Sequence, residues 1–362
     1  MDKVSKDGSD MTIGVDLGDR WSRLCVLDEH GEVCEEGRIA TTVHAMRKRF
    51  STEVPCRVVI EVGTHSPWVQ HLLQRLGHDV ITAHTQSVRL IYGGTSKDDR
   101  LDAERLARLA RVDPKLLHPI RHREGAVQAD LAVIRGRHVL VGCRTKLVNH
   151  VRGIVKSMGL RLPRCSSESF SRRALEELPK ELKPVLLPVL ETIAAVTRKI
   201  RQYNRRIENL ASEQYPETEV LRQVPGIGPV TALSFVLTLE DPARFRSSRS
   251  VGAYLGLRPR RSQSGDTDPE LRITKAGDHD LRRLLVGAAQ YILGPFGPDT
   301  DLRRWGLALA ARGRKNAKKR AVVAVARKLA VLLHRLWITA EVYEPLRDRA
   351  NKPEDIAQVV QA

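Results

Sequence analysis

An α/β domain on a mixed sheet, then a helical, coiled-coil-like linker and a mainly α C-terminal domain, is the architecture that this 362-residue sequence predicts. Three observations predict it. The first eighty or so residues hold short β-branched runs of strand length, separated by turn residues. From 125 to 215 helical periodicity is nearly continuous. From 221 the texture changes to Gly/Pro-punctuated segments rich in Ala, Leu and Arg. One compact core serves about 100 to 200 residues, so two cores and a connector fit the length. The expected boundaries are 11–160, 161–215 and 216–345.

In order along the chain, TIGVDL (12–17) and RLCVLD (23–28) read as strands joined by a turn, and GEVCEEGRIA (31–40) continues the meander. Residues 42–50 have helical composition. RVVIEV (57–62) is a continuous apolar run, as for a strand buried on both faces. SPWVQHLLQRLG (66–77) is an amphipathic helix ending at glycine, DVITA (79–83) another strand, and DDRLDAERLARLARV (98–112) a helix. The order is βββαβαβα. Residues 125–160 read as one long helix, and 166–178 restart after a proline with serine caps at hand. Ile193, Val196, Ile200, Tyr203, Ile207 and Leu210 then follow a 3-4-3-4-3 spacing. That seam suits a coiled coil or a long helical hairpin, and equally a helix packed on its own domain.

The formal charge is +18, which points to a polyanionic partner, nucleic acid before membrane. No run of eighteen apolar residues, signal peptide or lipidation motif occurs, so the expectation is a cytoplasmic protein with no membrane contact. Residues 1–60 hold nine Lys/Arg against eleven Asp/Glu, whereas 258–335 hold eighteen against seven. Polyanion contact is therefore weighted towards the C-terminal part. Aromatics make up only 4% of residues, so stacking platforms for single strands are not evident. The five cysteines, Cys25, Cys34, Cys56, Cys143 and Cys165, are odd in number, without a CxxC pair, and read as reduced thiols. Cys25 and Cys56 sit in or beside apolar runs as small buried hydrophobes.

Four carboxylates stand out. Asp16 ends the first strand on the face it shares with Gly14, opposite Ile13, Val15 and Leu17, and Glu61 ends the fourth strand similarly. Asp99 and Asp102 are three apart on one side of the following helix, whose stripe continues in Leu106 and Leu109. Singly, each fits a strand end or a helix start. Together they suit divalent cations: Mg²⁺ (or Mn²⁺) takes oxygen ligands, and two such ions about 4 Å apart assist phosphoryl transfer. Further on, VPGIGPVTA (224–232) has the form of a helix-hairpin-helix, in which Gly226 and Gly228 let the backbone approach a phosphate at the next helix's N-terminus. A tight helix connection reads the same way.

The segments GVDLG, IEVGTHSPWV and KDDRLDAERLARLAR resemble the RuvC-like (ribonuclease H-like) catalytic domain of the DEDD transposases of the IS-one-ten insertion-sequence family, over about residues 11–160. The resemblance implies Asp16, Glu61, Asp99 and Asp102 as catalytic metal ligands. Asp98 stands where the family usually has an uncharged polar residue, so either Asp98 or Asp99 could ligate, and Asp99 is kept because it fits the pattern Lys97-x-Asp99-x-x-Asp102-Ala103. The stretch 245–289, FRSSRSVGAYLGLRPRRSQSGDTDPELRITKAGDHDLRRLLVGAA, resembles the C-terminal domain of the same family and is the most specific match. It implies Ser264, just before Gly265, as nucleophile, with Ser262 as a nearby decoy; on local chemistry alone Ser264 is a turn residue. Arg258, Arg260, Arg261, Arg272 and Lys275 then hold phosphate or form a solvated basic face. Lys315, Lys318, Lys319 and Arg320 open an apolar helix as a nucleic-acid contact.

The resemblance further implies a transposase that cuts and rejoins donor and target DNA under a structured guide RNA, as a homo-oligomer assembled between protomers. Three other readings compete. A plain metal-dependent resolvase or nuclease would not need Ser264. An actin-like ATPase would share GVDLG but needs a second Asp-Gly phosphate turn and a Gly-rich adenine loop, and neither appears later in the chain. An architectural protein would bind DNA without cutting it.

Overall fold

The computed structural model describes residues 11–84, 99–265, 267, 271–313 and 316–347. The chain divides into two compact units, 1–124 and 125–362. In the first, β1 (Thr12–Asp16), β2 (Trp21–Leu27) and β3 (Val33–Ala40) precede α1 (Val43–Phe50), β4 (Arg57–Glu61), α2 (Ser66–Arg75), β5 (Asp79–Ala83) and α3 (Asp99–Val112). The order read from the sequence is found, with strand and helix bounds within a few residues. The sheet order is β3-β2-β1-β4-β5, antiparallel across β3/β2/β1 and parallel across β1/β4/β5. Turns suffice for the antiparallel part. Each parallel step requires a crossover, and α1 and α2 lie in those two connections.

Alternation gives the sheet two faces. Ile13, Val15, Leu24, Val26, Val58 and Ile60 pack against Met46 and Phe50 of α1 and Val69, Leu72 and Leu73 of α2. On the opposite face Cys25 and Leu27 meet Ala103 and Ala107 of α3. There too, Val59, Ile81 and Ala83 meet Leu106, Leu109 and Ala110. The β4 core Val58-Val59-Ile60 is fully buried, as its unbroken apolar run requires.

The second unit is helical: α4 (Gly125–Ser157), α5 (Phe170–Glu177), α6 (Lys183–Glu213), α7 (Thr218–Arg222), α8 (Pro229–Leu239), α9 (Ser248–Tyr254), α10 (His279–Leu293), α11 (Asp301–Ala310) and α12 (Ala317–Thr339). The end of α4 (Val148, Val151, Val155) packs on the start of α6 (Leu186, Leu190, Ile193). Its beginning (Leu131, Ile134) packs on the end of α6 (Ile207, Leu210). The two helices therefore form an antiparallel hairpin. The 3-4-3-4-3 seam is spent inside the chain, with Ile193, Ile200, Ile207 and Leu210 buried. The second core gathers around α8, which is buried from Thr231 to Leu239, with residues of α10 and α12 packed in the same cluster. A helix apolar on every side has no solvent face to offer. Among the described residues no helix is long and apolar enough to cross a membrane.

Candidate functional site

In the first unit Asp16, Glu61 and the helix turn that carries Asp102 lie towards one end of the sheet. Val15 of β1 pairs with Ile60 of β4 in parallel register, so Asp16 and Glu61 are the next residues on neighbouring strands, about 4.8 Å apart in the pairing direction. Alternation puts both on the face covered by α3, because Ile13, Val15, Val58 and Ile60 face the other way. The direction of α3 is fixed at its far end. Arg111 donates to the carbonyls of Asp28 (2.8 Å) and Glu29 (2.6 Å), and Arg108 donates to that of Gly31 (3.0 Å). Those carbonyls lie in the β2–β3 turn, beside the start of β1, where Thr12 pairs with Leu27. The helix thus runs against β1 and brings its first turn, with Asp102, to the end that carries Asp16 and Glu61.

Gly14 permits this. A Cβ there would collide with the Ala103 carbonyl and stand 2.9 Å from the Ala107 nitrogen. Only the missing side chain lets the helix backbone lie on the strand. Asp16 and Glu61 are half-buried, and Asp102 accepts from Arg105 Nη1 at 3.2 Å. Asp99 is the first residue of α3; its side chain, like the whole of Asp98, lies outside the described residues. Among the described residues no three His, Cys, Asp or Glu approach closely enough to form a ligand set. Asp16, Glu61 and Asp102 offer carboxylate oxygens, the donor chemistry that suits Mg²⁺ or Mn²⁺.

Sequence reasoning missed what anchors the turn after Glu61. Ser66, fully buried at the start of α2, donates from Oγ to the Gly63 carbonyl (2.8 Å) and accepts from the Gly63 amide (3.0 Å). Its hydroxyl also lies 2.8 Å from His122 Nε2. Burial pushes the His122 pKa down, helped by His71 and Arg123, so the imidazole is held neutral. The partners are 56 residues apart, and no local signal joins them.

In the second unit Ser264 is exposed, in the segment that follows a backbone pairing of residues 258–260 with 272–274. Ser264 and Thr267 exchange both backbone hydrogen bonds (3.1 and 3.0 Å), and Gly265 takes φ +53, the left-handed conformation that selects glycine after the serine. Arg260 N to Arg272 O and Thr274 N to Arg258 O, both 2.9 Å, make the pairing of 258–260 with 272–274. Arg258, Arg260, Arg261, Arg272 and Lys275 are exposed along it. At its root Arg282 of α10, 8% exposed, donates to the carbonyls of Leu255 (3.0 Å) and Ala276 (2.6 Å). Burial lowers its pKa while Asp278 opposes the shift. The sequence does not single out Arg282 either, because both of its acceptors are backbone carbonyls set by packing.

Gly226 and Gly228 occupy an exposed turn between α7 and α8. Gly226 has φ +85 and packs under Tyr291, where a Cβ would stand 3.0 Å from the ring. Gly228 caps α8 with nothing within 4 Å of a Cβ there. Lys318, Lys319 and Arg320 are exposed in the first turn of α12; Lys315 lies outside the described residues.

Two family models match the chain, one described as a transposase over residues 13–159 and one as the transposase IS116/IS110/IS902 family over residues 218–300. The chain is 30% identical to the transposase for insertion sequence element IS1111A of Coxiella burnetii, over 91% of this chain and 90% of the relative. It is 30% identical to the transposase for insertion sequence element IS1328 of Yersinia enterocolitica, over 77% and 82%. Identity to a probable family 20 transposase of Pseudomonas aeruginosa is 29%, over 92% and 98%.

Proposed function

This chain belongs to the IS110-type DEDD transposases, and from that premise we propose that it cuts and rejoins DNA by phosphoryl transfer, with a metal-binding carboxylate site in its first unit and the Ser264 hydroxyl as nucleophile. The observation that carries the reading is the rim itself: Asp16 and Glu61 side by side at the ends of two parallel strands, with the first turn of α3 over the same end. Like-charged carboxylates share such a place at an electrostatic cost that a divalent cation offsets.

Held by Asp16, Glu61, Asp99 and Asp102, Mg²⁺ or Mn²⁺ would ease deprotonation of the attacking hydroxyl and stabilise the leaving oxygen. The protein's own groups do the rest. Serine is a weak nucleophile at its ordinary pKa and needs such activation. Its Oγ forms a bond to a DNA phosphorus as the bond to one strand oxygen breaks, and that oxygen takes up a proton. Attack by the hydroxyl of a second strand at the same phosphorus remakes the phosphodiester and returns the serine. Arg258, Arg260, Arg261, Arg272 and Lys275 hold the flanking phosphates. The Gly226–Gly228 turn acts as a helix-hairpin-helix, giving open amides at the start of α8 to another phosphate. Lys315, Lys318, Lys319 and Arg320 add backbone contacts at the positive end of α12. The nucleic acids are donor and target DNA and a structured guide RNA, engaged by an assembly of several copies of the chain.

Purified protein with donor DNA, target DNA and the element's noncoding RNA tests this. Asp16→Ala, Glu61→Ala and Asp102→Ala should each abolish cleavage while the protein stays folded. Ser264→Ala should bind DNA and RNA yet lose strand transfer and any covalent protein–DNA adduct on denaturing gels. Full recombination by Asp102→Ala sinks the metal site. Cleavage that survives in Ser264→Ala removes the serine step and leaves a plain metal-dependent nuclease.

A further inference from the structure

The α4–α6 hairpin is apolar at both ends and cationic in the middle. Between the clusters around Leu131 and Val148, α4 contributes Arg137, His138 and Arg144. Arg137 Nε donates to Asn204 Oδ1 of α6 at 2.6 Å. His138 is 7% exposed, and neither of its ring nitrogens makes a hydrogen bond. The Nε and Nη1 of Arg144 are likewise buried without a hydrogen-bond partner. The nearby carboxylates face other groups: Asp280 Oδ1 is 3.6 Å from Arg283 and Asp278 is 3.7 Å from Arg135, while Asp280 Oδ2 is 3.5 Å from Nδ1 of His138, whose pKa burial lowers. The Arg137 pKa is pushed down by burial, then by the like charges of Arg144 and Arg283. Arg137 and Arg144, seven residues apart, share one side of α4, Arg283 of α10 reaches the Asp280 carboxylate that faces His138 of α4, and Nε and Nη1 of Arg144 are unanswered.

A half-buried guanidinium with two shielded, unanswered nitrogens is destabilising, because the hydration those nitrogens lose is not returned by a partner. Its planar fork matches the oxygens of a phosphate, which accept two parallel hydrogen bonds and carry the missing charge. The neighbouring stretch Arg198–Arg206 of α6 holds five Lys/Arg and no acid in nine residues, a polarity suited to a polyanion and not to a protein carboxylate. We propose that the middle of this hairpin is a phosphate seat, in which Arg144, with Arg137 and Arg283, grips one backbone phosphate of bound nucleic acid. The class of the anion rests on the transposase reading; the seat itself rests on the unanswered donors.

Inorganic pyrophosphate and a DNA duplex are the probes, with full-length protein. Pyrophosphate should raise the melting temperature of the wild type, and Arg144→Met should weaken its affinity about tenfold or more, the loss of one or two charge-assisted hydrogen bonds. Arg144→Lys, which keeps the charge but not the fork, should fall between. Lys146→Met, a charge-matched change at an exposed position of the same helix, should respond like the wild type. Without pyrophosphate, Arg144→Met should melt no lower than wild type. For duplex binding, the slope of log affinity against log salt should flatten by about one unit in Arg144→Met. A large drop in melting temperature in Arg144→Met, with or without pyrophosphate, makes Arg144 a structural residue and overturns the seat. An unchanged pyrophosphate response or salt slope overturns it too. Neither readout needs DNA cleavage, so an inactive transposase with an intact pyrophosphate response counts against the proposed chemistry and leaves the seat standing.

Discussion

Gly14→Ala tests how the carboxylate rim is assembled without touching a carboxylate. The added Cβ would collide with the Ala103 carbonyl and lie 2.9 Å from the Ala107 nitrogen, where ordinary contact begins at 3.4 Å. The helix must therefore withdraw by about 0.5 Å at Ala107, and by more at Ala103, one residue from Asp102. Overpacking against backbone sits at the upper end of the usual range, about 3 kcal/mol, and the intrinsic gain of Ala over Gly in a strand returns roughly 0.5–1 kcal/mol. A net loss of about 2 kcal/mol lowers the melting temperature of a unit this size by roughly 8 °C. Catalysis should suffer more: a displacement approaching 1 Å in a catalytic group reduces turnover by about 10²-fold. The assay is a melt of the first unit's transition beside a DNA-cleavage time course. Gly153→Ala, in α4 of the second unit with nothing within 4 Å of a Cβ there, is the control and should leave the first unit's transition and cleavage unchanged. Wild-type melting and full cleavage in Gly14→Ala would refute the argument that this contact seats α3.

Arg282→Met removes two hydrogen bonds and leaves the Leu255 and Ala276 carbonyls unanswered; about 2–3 kcal/mol of lost stability is expected, with faster proteolysis within residues 256–277, and unchanged proteolysis would count against its role as a pin. Charge reversal at Lys318 and Lys319 should weaken DNA binding about equally across sequences and flatten the salt dependence, so a sequence-selective loss in a binding titration would show that these groups read bases. Burial pushes the thiols of Cys25 and Cys56 up to about 11, so at pH 8 a maleimide should label Cys34 and Cys143 promptly and leave those two unmodified until the protein unfolds. The same two thiols make stability fall with rising pH: the unfolded chain loses their protons near 9 while the folded chain keeps them to about 11. Denaturant titrations at pH 8 and pH 10 measure it, and equal stability at the two would refute their burial as thiols.

Much of the fold and part of the site were legible because their signals are local. Periods of 2 and 3.6 residues marked the five strands and the helices flanking them, and the unbroken apolar run of β4 announced burial on both faces. Asp16 and Glu61 were found at strand ends by alternation alone, and Gly265 marked the turn at Ser264 because a left-handed residue there selects glycine. Tertiary structure decided what joins distant positions. The spacing from Ile193 to Leu210 fitted a coiled coil between chains as well as a hairpin within one, and only the partner surface of α4 settled that the seam is filled internally. Gly14 was visible as a glycine, but the arrival of Ala103 upon it was not. Ser66 with His122, Arg282 with the Leu255 and Ala276 carbonyls, and the unanswered donors of Arg144 were hidden for the same reason. A local pattern records which face of an element is apolar, whereas the worth of a buried polar group depends on which distant backbone or charge meets it, and that is set by packing alone.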